Sequence, residues 1–178
     1  MLRWFTHPPV VVNPTVTHEH DGHYCQTLFL PEHVGSHVDA TAHIHANMMD
    51  RTTDTLPADA LLGPGKLFDL RGLGLGPGDL VAADDLEKID RATGSALASG
   101  DVALFNYGWY ERYLTTRPEW VWYAKNAPGF SAEACAGLAD RRPRAVGTNT
   151  AMVDDVEQQQ SFAHQEYFRQ TTSTSSNA

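Results

Sequence analysis

Apolar and polar positions alternate along the middle of the chain in two periods, one typical of strands and one typical of helices. Short apolar runs predict buried strands at residues 66–70, 102–106 and 145–147. A helix is predicted over residues 84–98, because Asp84 can cap it and Glu87 follows at capping-box spacing. A second helix is predicted from Ser131 through Leu138. This alternation of strands and helices indicates an α/β fold.

The two ends of the chain differ from the middle. Residues 8–17 are rich in proline and β-branched side chains, which predicts an extended edge strand or loop, and residues 24–30 predict a strand. Residues 171–178 are polar and of low complexity, so they cannot bury a core face. We therefore expect one domain over residues 1–170 and a disordered tail over residues 171–178.

The composition and charge of the chain disfavour some classes of binding partner. The chain has 178 residues and a net charge of −9 at pH 7, which disfavours nucleic acid and anionic membrane surfaces as partners. No apolar run is long enough to span a bilayer, and the N-terminus lacks the apolar core of a signal peptide. Cys25 and Cys135 lie far apart and are expected to be free thiols. We expect a cytoplasmic protein that acts on a small molecule.

The histidines are unevenly distributed, since eight of the nine lie before residue 46 and the ninth is His164. Imidazole is the commonest protein ligand for metals and the commonest general base near neutral pH, so this clustering is the first indication of chemistry. Outside the segment that starts at His33, a surface position is expected for His7 and His45, and a solvated loop for His18, His20 and His23.

A metal site is predicted where three candidate ligands fall within seven residues: His33, His37 and Asp39. In an extended segment His37 and Asp39 share a face, and Gly35 lets the backbone turn so that His33 approaches the same point. Two imidazoles and a carboxylate suit zinc, or manganese where oxygen ligands are more numerous, and the carboxylate can bridge two ions. His43 follows Asp39 by four residues and is a candidate general acid or base.

The segment 33–43 resembles the H-x-G-T-H-x-D-A-P-x-H signature of the cyclase family, which includes bacterial kynurenine formamidase and isatin hydrolase. Further stretches resemble family motifs in the same order along the chain. Residues 101–109 are similar to its D-x-x-L-x-x-T-G-W strand, residues 128–131 to its P-G-L-S helix entry, and residues 145–150 to its A-V-G-I-D-T strand. The resemblance covers roughly residues 8 to 168.

The resemblance implies a single α/β domain with a central mixed sheet or barrel flanked by helices. It implies that His33, His37 and Asp39 hold a divalent metal, Zn²⁺ or Mn²⁺, as one or two ions. His43 would be the catalytic proton shuttle, and His164 a second-metal ligand or a member of the proton relay. The implied activity is hydrolysis of a small amide, formamide or lactam, such as N-formylkynurenine or isatin, by a metal-activated water. A homodimer or homotetramer is expected.

Several departures from the family pattern, among them two at single positions, keep an alternative open. The formamidase branch has a glutamate ligand about a dozen residues after the late histidine, where this chain has Ser176, and Asn149 stands where the family usually has aspartate. A single-metal site, a truncated chain or a degenerate member that binds a ligand or serves as an assembly subunit would each explain them. A cupin-like metal oxygenase is a third, more distant alternative.

A group of aromatic residues offers either a pocket for an aromatic substrate or ordinary core and interface packing. The group consists of Trp109, Tyr110, Trp120, Trp122 and Tyr123.

Overall fold

The computed structural model describes residues 6–94, 96–114 and 119–154. By contacts between Cα atoms the chain divides into two compact units, Met1–Val38 and Asp39–Ala178. The predicted polar tail, residues 171–178, and the predicted ligand His164 lie outside the described residues. Among the described residues, no helix has both the length and the apolar character needed to cross a bilayer.

The first unit contains an antiparallel ribbon of two strands, β1 (Val11–Val16) and β2 (Cys25–Phe29). A short helix, α1 (His18–Asp21), connects them, and Gly22 ends it with a φ of 74°, a conformation that favours glycine. The ribbon is exposed along both strands apart from Val16. The predicted extended start and the predicted strand at residues 24–30 are confirmed.

The second unit is built on a parallel three-stranded sheet of β3 (Gly65–Asp69), β5 (Val102–Asn106) and β7 (Ala145–Thr148), with β5 in the centre. A second parallel pair joins β4 (Leu80–Val81) to β6 (Gly129–Phe130). All three strands predicted for the middle of the chain are therefore present. Connections between parallel strands need crossovers, and helices supply them here.

The described part of this unit contains three α-helices: α2 (Ala83–Thr93), α3 (Trp120–Lys125) and α4 (Ala132–Asp140). The capping prediction for α4 is confirmed, because the Ser131 hydroxyl accepts a hydrogen bond from the Ala134 amide at 3.2 Å. The bounds predicted for α2 were wrong. The Asp85 carboxylate, not Asp84, accepts the Ala82 amide at 3.2 Å, and Gly94 ends the helix at a φ of 63°.

The core of this unit lies between one face of the three-stranded sheet and the helices. Phe68 and Phe105 stack at 5.0 Å between ring centroids, and Phe105 meets Phe130 edge to face at 4.9 Å. Trp109 is only 1% exposed, and its indole N–H donates to the Tyr123 carbonyl at 3.0 Å. For these two members of the aromatic group, packing is therefore the correct alternative.

The predicted class, an α/β fold with parallel and antiparallel strands flanked by helices, is confirmed. The predicted free thiols are confirmed as well, with Cys25 exposed and Cys135 buried.

Candidate metal centre

The segment from His33 to Asp39 is a turn and not a strand. It bends at residues 35 and 36, and Gly35 has a φ of 65°, which a residue with a Cβ adopts only under strain. His33 is half-buried and His37 is exposed. The expectation that Gly35 permits a tight turn is confirmed, although the extended backbone expected around His37 is not part of any strand.

The turn brings the imidazoles of His33 and His37 together. His33 Nδ1 lies 2.8 Å from His37 Nε2, and the two rings are tilted by 58° with their centroids 4.9 Å apart. Two ring nitrogens on a tetrahedral zinc ion, each at about 2.0–2.1 Å, would lie roughly 3.3 Å apart. The observed pair therefore already has nearly the spacing of two ligands on one ion.

A backbone carbonyl determines which nitrogen of His37 is available. His37 Nδ1 lies 2.7 Å from the Gly35 carbonyl oxygen. The carbonyl can only accept, so Nδ1 carries the proton and the neutral ring presents its lone pair at Nε2. Metal-binding histidines are commonly oriented by this kind of hydrogen bond from the non-ligating nitrogen. His37 is thus prepared to bind an ion through the nitrogen that faces His33.

Asp39 completes the group. One ligand atom each from His33, His37 and Asp39 all lie within 4.8 Å of one another. Asp39 is separated from His37 by a single residue, so this proximity is a property of the continuous seven-residue turn. Two neutral nitrogens and a carboxylate oxygen are a donor set that borderline divalent ions such as Zn²⁺ accept, and further positions are left for water or substrate. The residues present therefore fit the ion that the sequence predicts.

The predicted proton shuttle, His43, follows this group in the chain. His43 lies in the 3₁₀ turn Thr41–His43, where its amide donates to the Ala40 carbonyl at 2.9 Å. Its side chain is exposed, and it is not one of the three converging residues. The predicted role of His164 concerns a residue outside the described ranges. Both assignments stay predictions.

His7 is a neighbour of the site that the sequence does not indicate. The sequence predicts a surface position, but the ring of His7 is half-buried and stacks on the ring of His33, with centroids 5.2 Å apart and planes inclined by 28°. His7 and His33 are 26 residues apart, so no local spacing connects them. The eight early histidines were a signal of chemistry, but they could not show which of them meet.

The departure from the family at Asn149 has a structural reason. Asn149 Nδ2 donates to Asn106 Oδ1 at 2.8 Å, and Asn149 Oδ1 accepts the Tyr107 amide at 2.9 Å. Asn106 Oδ1 also accepts the Gly108 amide at 3.0 Å, which fixes it as an acceptor. A carboxylate at position 149 could not donate to that oxygen. The two asparagines therefore join the carboxyl ends of β5 and β7 as a matched pair.

The carboxyl end of β3, which lies next to β5 in the sheet, carries a charge pair. The Arg71 guanidinium donates to both carboxylate oxygens of Asp69, at 2.8 and 2.6 Å. These hydrogen bonds from Arg71 lower the pKa of the exposed Asp69 carboxyl to about 2. Asp69 is therefore ionised and engaged with Arg71 at neutral pH.

The chain belongs to the cyclase family: the family model described as "Putative cyclase" matches residues 2–155. The match begins upstream of the resemblance seen in the motifs and ends before His164. No curated protein matches the sequence.

Solved structures share the fold at low sequence identity. An isatin hydrolase bound to the product analogue thioisatinate is 21% identical with a TM-score of 0.78, covering 92% of this chain and 66% of that one. Isatin hydrolase A from Labrenzia aggregata is 19% identical with a TM-score of 0.74, covering 90% and 66%. A predicted metal-dependent hydrolase from Bacillus stearothermophilus is 22% identical with a TM-score of 0.66, covering 90% and 67%. The chain thus spans about two thirds of these structures.

Proposed function

We propose that this cyclase-family chain is a metal-dependent hydrolase of a small amide, formamide or lactam. The observation that carries the proposal is the turn in which His33, His37 and Asp39 converge while the Gly35 carbonyl orients His37. The fold supports it, since structures described as isatin hydrolases and as a predicted metal-dependent hydrolase share that fold.

The proposed roles follow from the donor atoms. His33 Nδ1, His37 Nε2 and an Asp39 carboxylate oxygen would hold the ion, which is Zn²⁺ or Mn²⁺. When bound, such an ion lowers the pKa of a coordinated water and polarises a carbonyl group. His43 would donate a proton to the leaving nitrogen of the substrate, and its exposure leaves it accessible to solvent protons. His164 would serve a second ion or the proton relay.

Metal content tests the site before any substrate is known. We expect the purified chain to carry one or two equivalents of zinc or manganese by elemental analysis. His37→Ala should lose most of this metal, because it removes the oriented donor. His23→Ala is the matched control, since His23 is an exposed histidine of the same unit whose ring nitrogen contacts the Asp21 carbonyl at 3.1 Å. A parent protein that is metal-free after purification without chelator would contradict the proposal.

Turnover tests the reaction. Hydrolysis of N-formylkynurenine, isatin and related small amides can be followed by absorbance with the metal-loaded protein. We expect His43→Ala to keep its metal and to lose turnover by about 10²–10⁴-fold, the range that general acid–base catalysis supplies. A His43→Ala variant with the activity of the parent would contradict the proton-donor role.

A second candidate function is that of a catalytically impaired relative that binds metal or ligand. The amide at position 149 favours it, because this residue is engaged with Asn106 at a point where the family usually has a carboxylate. Stoichiometric metal without turnover of any amide or lactam in the panel would select this candidate. Metal together with turnover would exclude it.

The proposal includes an assembly and a location. We propose a homodimer or homotetramer that acts on its small-molecule substrate in the cytoplasm. Light scattering of the purified chain gives its mass directly, and a monomer at micromolar concentration would contradict the assembly.

A further inference from the structure

We propose that the carboxyl edge of the three-stranded sheet binds the carbonyl oxygen of an uncharged small molecule through two hydrogen-bond donors, Arg71 Nη1 and Asn106 Nδ2. We call these two residues the donor pair. They are not among the three proposed metal ligands, so the inference goes beyond the proposed metal chemistry. Its place in the fold is the one where open α/β sheets bind their ligands, outside the carboxyl ends of parallel strands.

The register of the sheet places the donor pair at one edge. Asp69 at the end of β3 is the Cα partner of Asn106 at the end of β5, so both side chains lie on the same face. The Arg71 side chain is held on the Asp69 carboxylate by three hydrogen bonds of 2.6 to 3.1 Å. Its stem lies so close to Gly108 that a Cβ there would be 3.0 Å from Arg71 Cγ. Arg71 therefore extends from the end of β3 to the end of β5.

Each member of the donor pair keeps a nitrogen that the described residues do not use. Arg71 engages Asp69 through Nε and Nη2, and its Nη1 has no hydrogen-bond partner among the described residues. Asn106 uses its oxygen, which accepts from the Gly108 amide and from Asn149 Nδ2. In the same part of the chain Asn106 Nδ2 has no partner, and it is not one of the buried polar atoms that lack one, so it is open to solvent. Both nitrogens can only donate, so their ligand must offer an acceptor oxygen.

The charges around the donor pair favour an uncharged acceptor over a carboxylate. Asp69 is ionised and neutralises the charge of Arg71. The pKa of Arg71 is raised chiefly by its hydrogen bonds to Asp69, and to a smaller extent by the nearby charge of Glu111. One cation and two carboxylates leave a net negative charge at this edge, which repels an anionic ligand and leaves a neutral carbonyl group unaffected.

An apolar surface lies beside the donor pair on the same face of the sheet. Leu67 and Leu104 are Cα partners two residues before the edge, so the alternation of strand side chains directs them to that face. They are 64% and 43% exposed, in contrast to the buried phenylalanines of the opposite face. Small-molecule sites combine apolar contacts with a few polar groups. The ligand class is therefore a small uncharged amide, lactam or ketone with an apolar body.

The test titrates the full chain with oxindole, an uncharged lactam on an apolar ring. The side-chain N–H resonances of Asn106 and Arg71 in ¹⁵N-correlated NMR spectra report both the place of binding and the dissociation constant. A second titration uses 2-aminophenylacetate, the ring-opened carboxylate of the same skeleton, which we expect to bind more weakly. Both titrations are repeated after treatment with a chelator, so that the result does not depend on a bound ion.

Asn106→Asp keeps the accepting oxygen and replaces only the donating nitrogen. We expect it to bind oxindole about two- to tenfold more weakly than the parent, the effect of one lost hydrogen bond. Arg71→Met keeps an unbranched stem and removes a charged donor, so affinity should fall by about tenfold or more. Gln26→Glu is the matched control, because it makes the same amide-to-carboxylate change on β2 and keeps the oxygen that accepts from the Tyr24 hydroxyl at 3.3 Å. It should stay within about twofold of the parent.

Any of three results would overturn the inference. The first is that oxindole leaves the Asn106 and Arg71 resonances unmoved up to its solubility limit, or that both variants, folded by circular dichroism, bind it as the parent does. The second is that 2-aminophenylacetate binds as tightly as oxindole. The third is that resonances of Leu67 and Leu104 shift with protein concentration and not with oxindole, which would assign this face to a contact between copies. Failure of the proposed function is distinct, since it is a loss of metal or turnover in a parent that still binds oxindole.

Discussion

Replacing Tyr107 with phenylalanine removes a buried hydroxyl that has no hydrogen-bond partner in the described part of the chain. Tyr107 is 8% exposed, and its ring meets Phe130 edge to face with centroids 6.1 Å apart. Burial raises the pKa of the Tyr107 phenol far above its ordinary value. Tyr123 offers a matched comparison, since it is 5% exposed but its hydroxyl donates to the Asn149 carbonyl at 3.0 Å.

The two hydroxyls should contribute to stability with opposite signs. A buried hydroxyl without a partner costs about 1–3 kcal/mol, so Tyr107→Phe should be neutral or stabilising by up to about 1 kcal/mol once the small void is counted. Tyr123→Phe loses a hydrogen bond of roughly 0.5–1.5 kcal/mol and leaves the Asn149 carbonyl with one partner fewer. The variants should therefore differ by about 0.5–2.5 kcal/mol.

Urea unfolding followed by tryptophan fluorescence measures this difference, and thermal unfolding by circular dichroism checks it. For a chain of this size, about 1 kcal/mol corresponds to roughly 2–4 °C in Tm. We therefore expect Tyr107→Phe to melt at or above the parent temperature and Tyr123→Phe to melt several degrees below it. If Tyr107→Phe were destabilised as much as Tyr123→Phe, the Tyr107 hydroxyl would have a partner in solution, such as a buried water, and the reasoning would fail.

Three further outcomes are expected. Burial raises the pKa of Tyr123 to about 12, so stability present below pH 10 should fall as the pH rises from about 10 toward 12, and Tyr123→Phe should weaken this fall in alkaline urea titrations. Arg71→Gln should return the pKa of Asp69 from about 2 toward 3.8, measured by carboxyl ¹³C NMR; an unmoved value would contradict the pairing. Asn149→Asp should cost about 1–3 kcal/mol at pH 7 because a carboxylate cannot donate to Asn106, and less at low pH, where a protonated carboxyl can donate.

The strands and helices of the second unit were largely predictable because their signals are local. The run at residues 102–106 became β5 with the predicted bounds, and Ser131 capped α4 through its own hydroxyl. The start of α2 was less predictable. Asp84 and Asp85 are adjacent carboxylates that fit an N-terminal cap equally well by sequence, and only the backbone decides that Asp85 reaches the Ala82 amide.

In the candidate site too, contacts between residues close in sequence were predictable and contacts between distant residues were not. His33, His37 and Asp39 fall within one turn, so their spacing was enough to predict that they converge. The contact between His7 and His33 depends on tertiary structure, and no spacing in the sequence indicates it. The pairing of Asn149 with Asn106 joins the ends of two strands 43 residues apart, so only the register of the sheet places them together.

The acceptor that orients His37 is a main-chain atom, the Gly35 carbonyl, and this has a consequence for engineering the site. Exchange of neighbouring side chains leaves that acceptor in place, whereas an orienting carboxylate could be lost by a single substitution. Ser36 and Val38 are exposed and alternate with the residues that set the geometry. A library that varies these two positions, with Gly35 kept, can therefore alter the surroundings of the proposed metal site while the tautomer of His37 is retained.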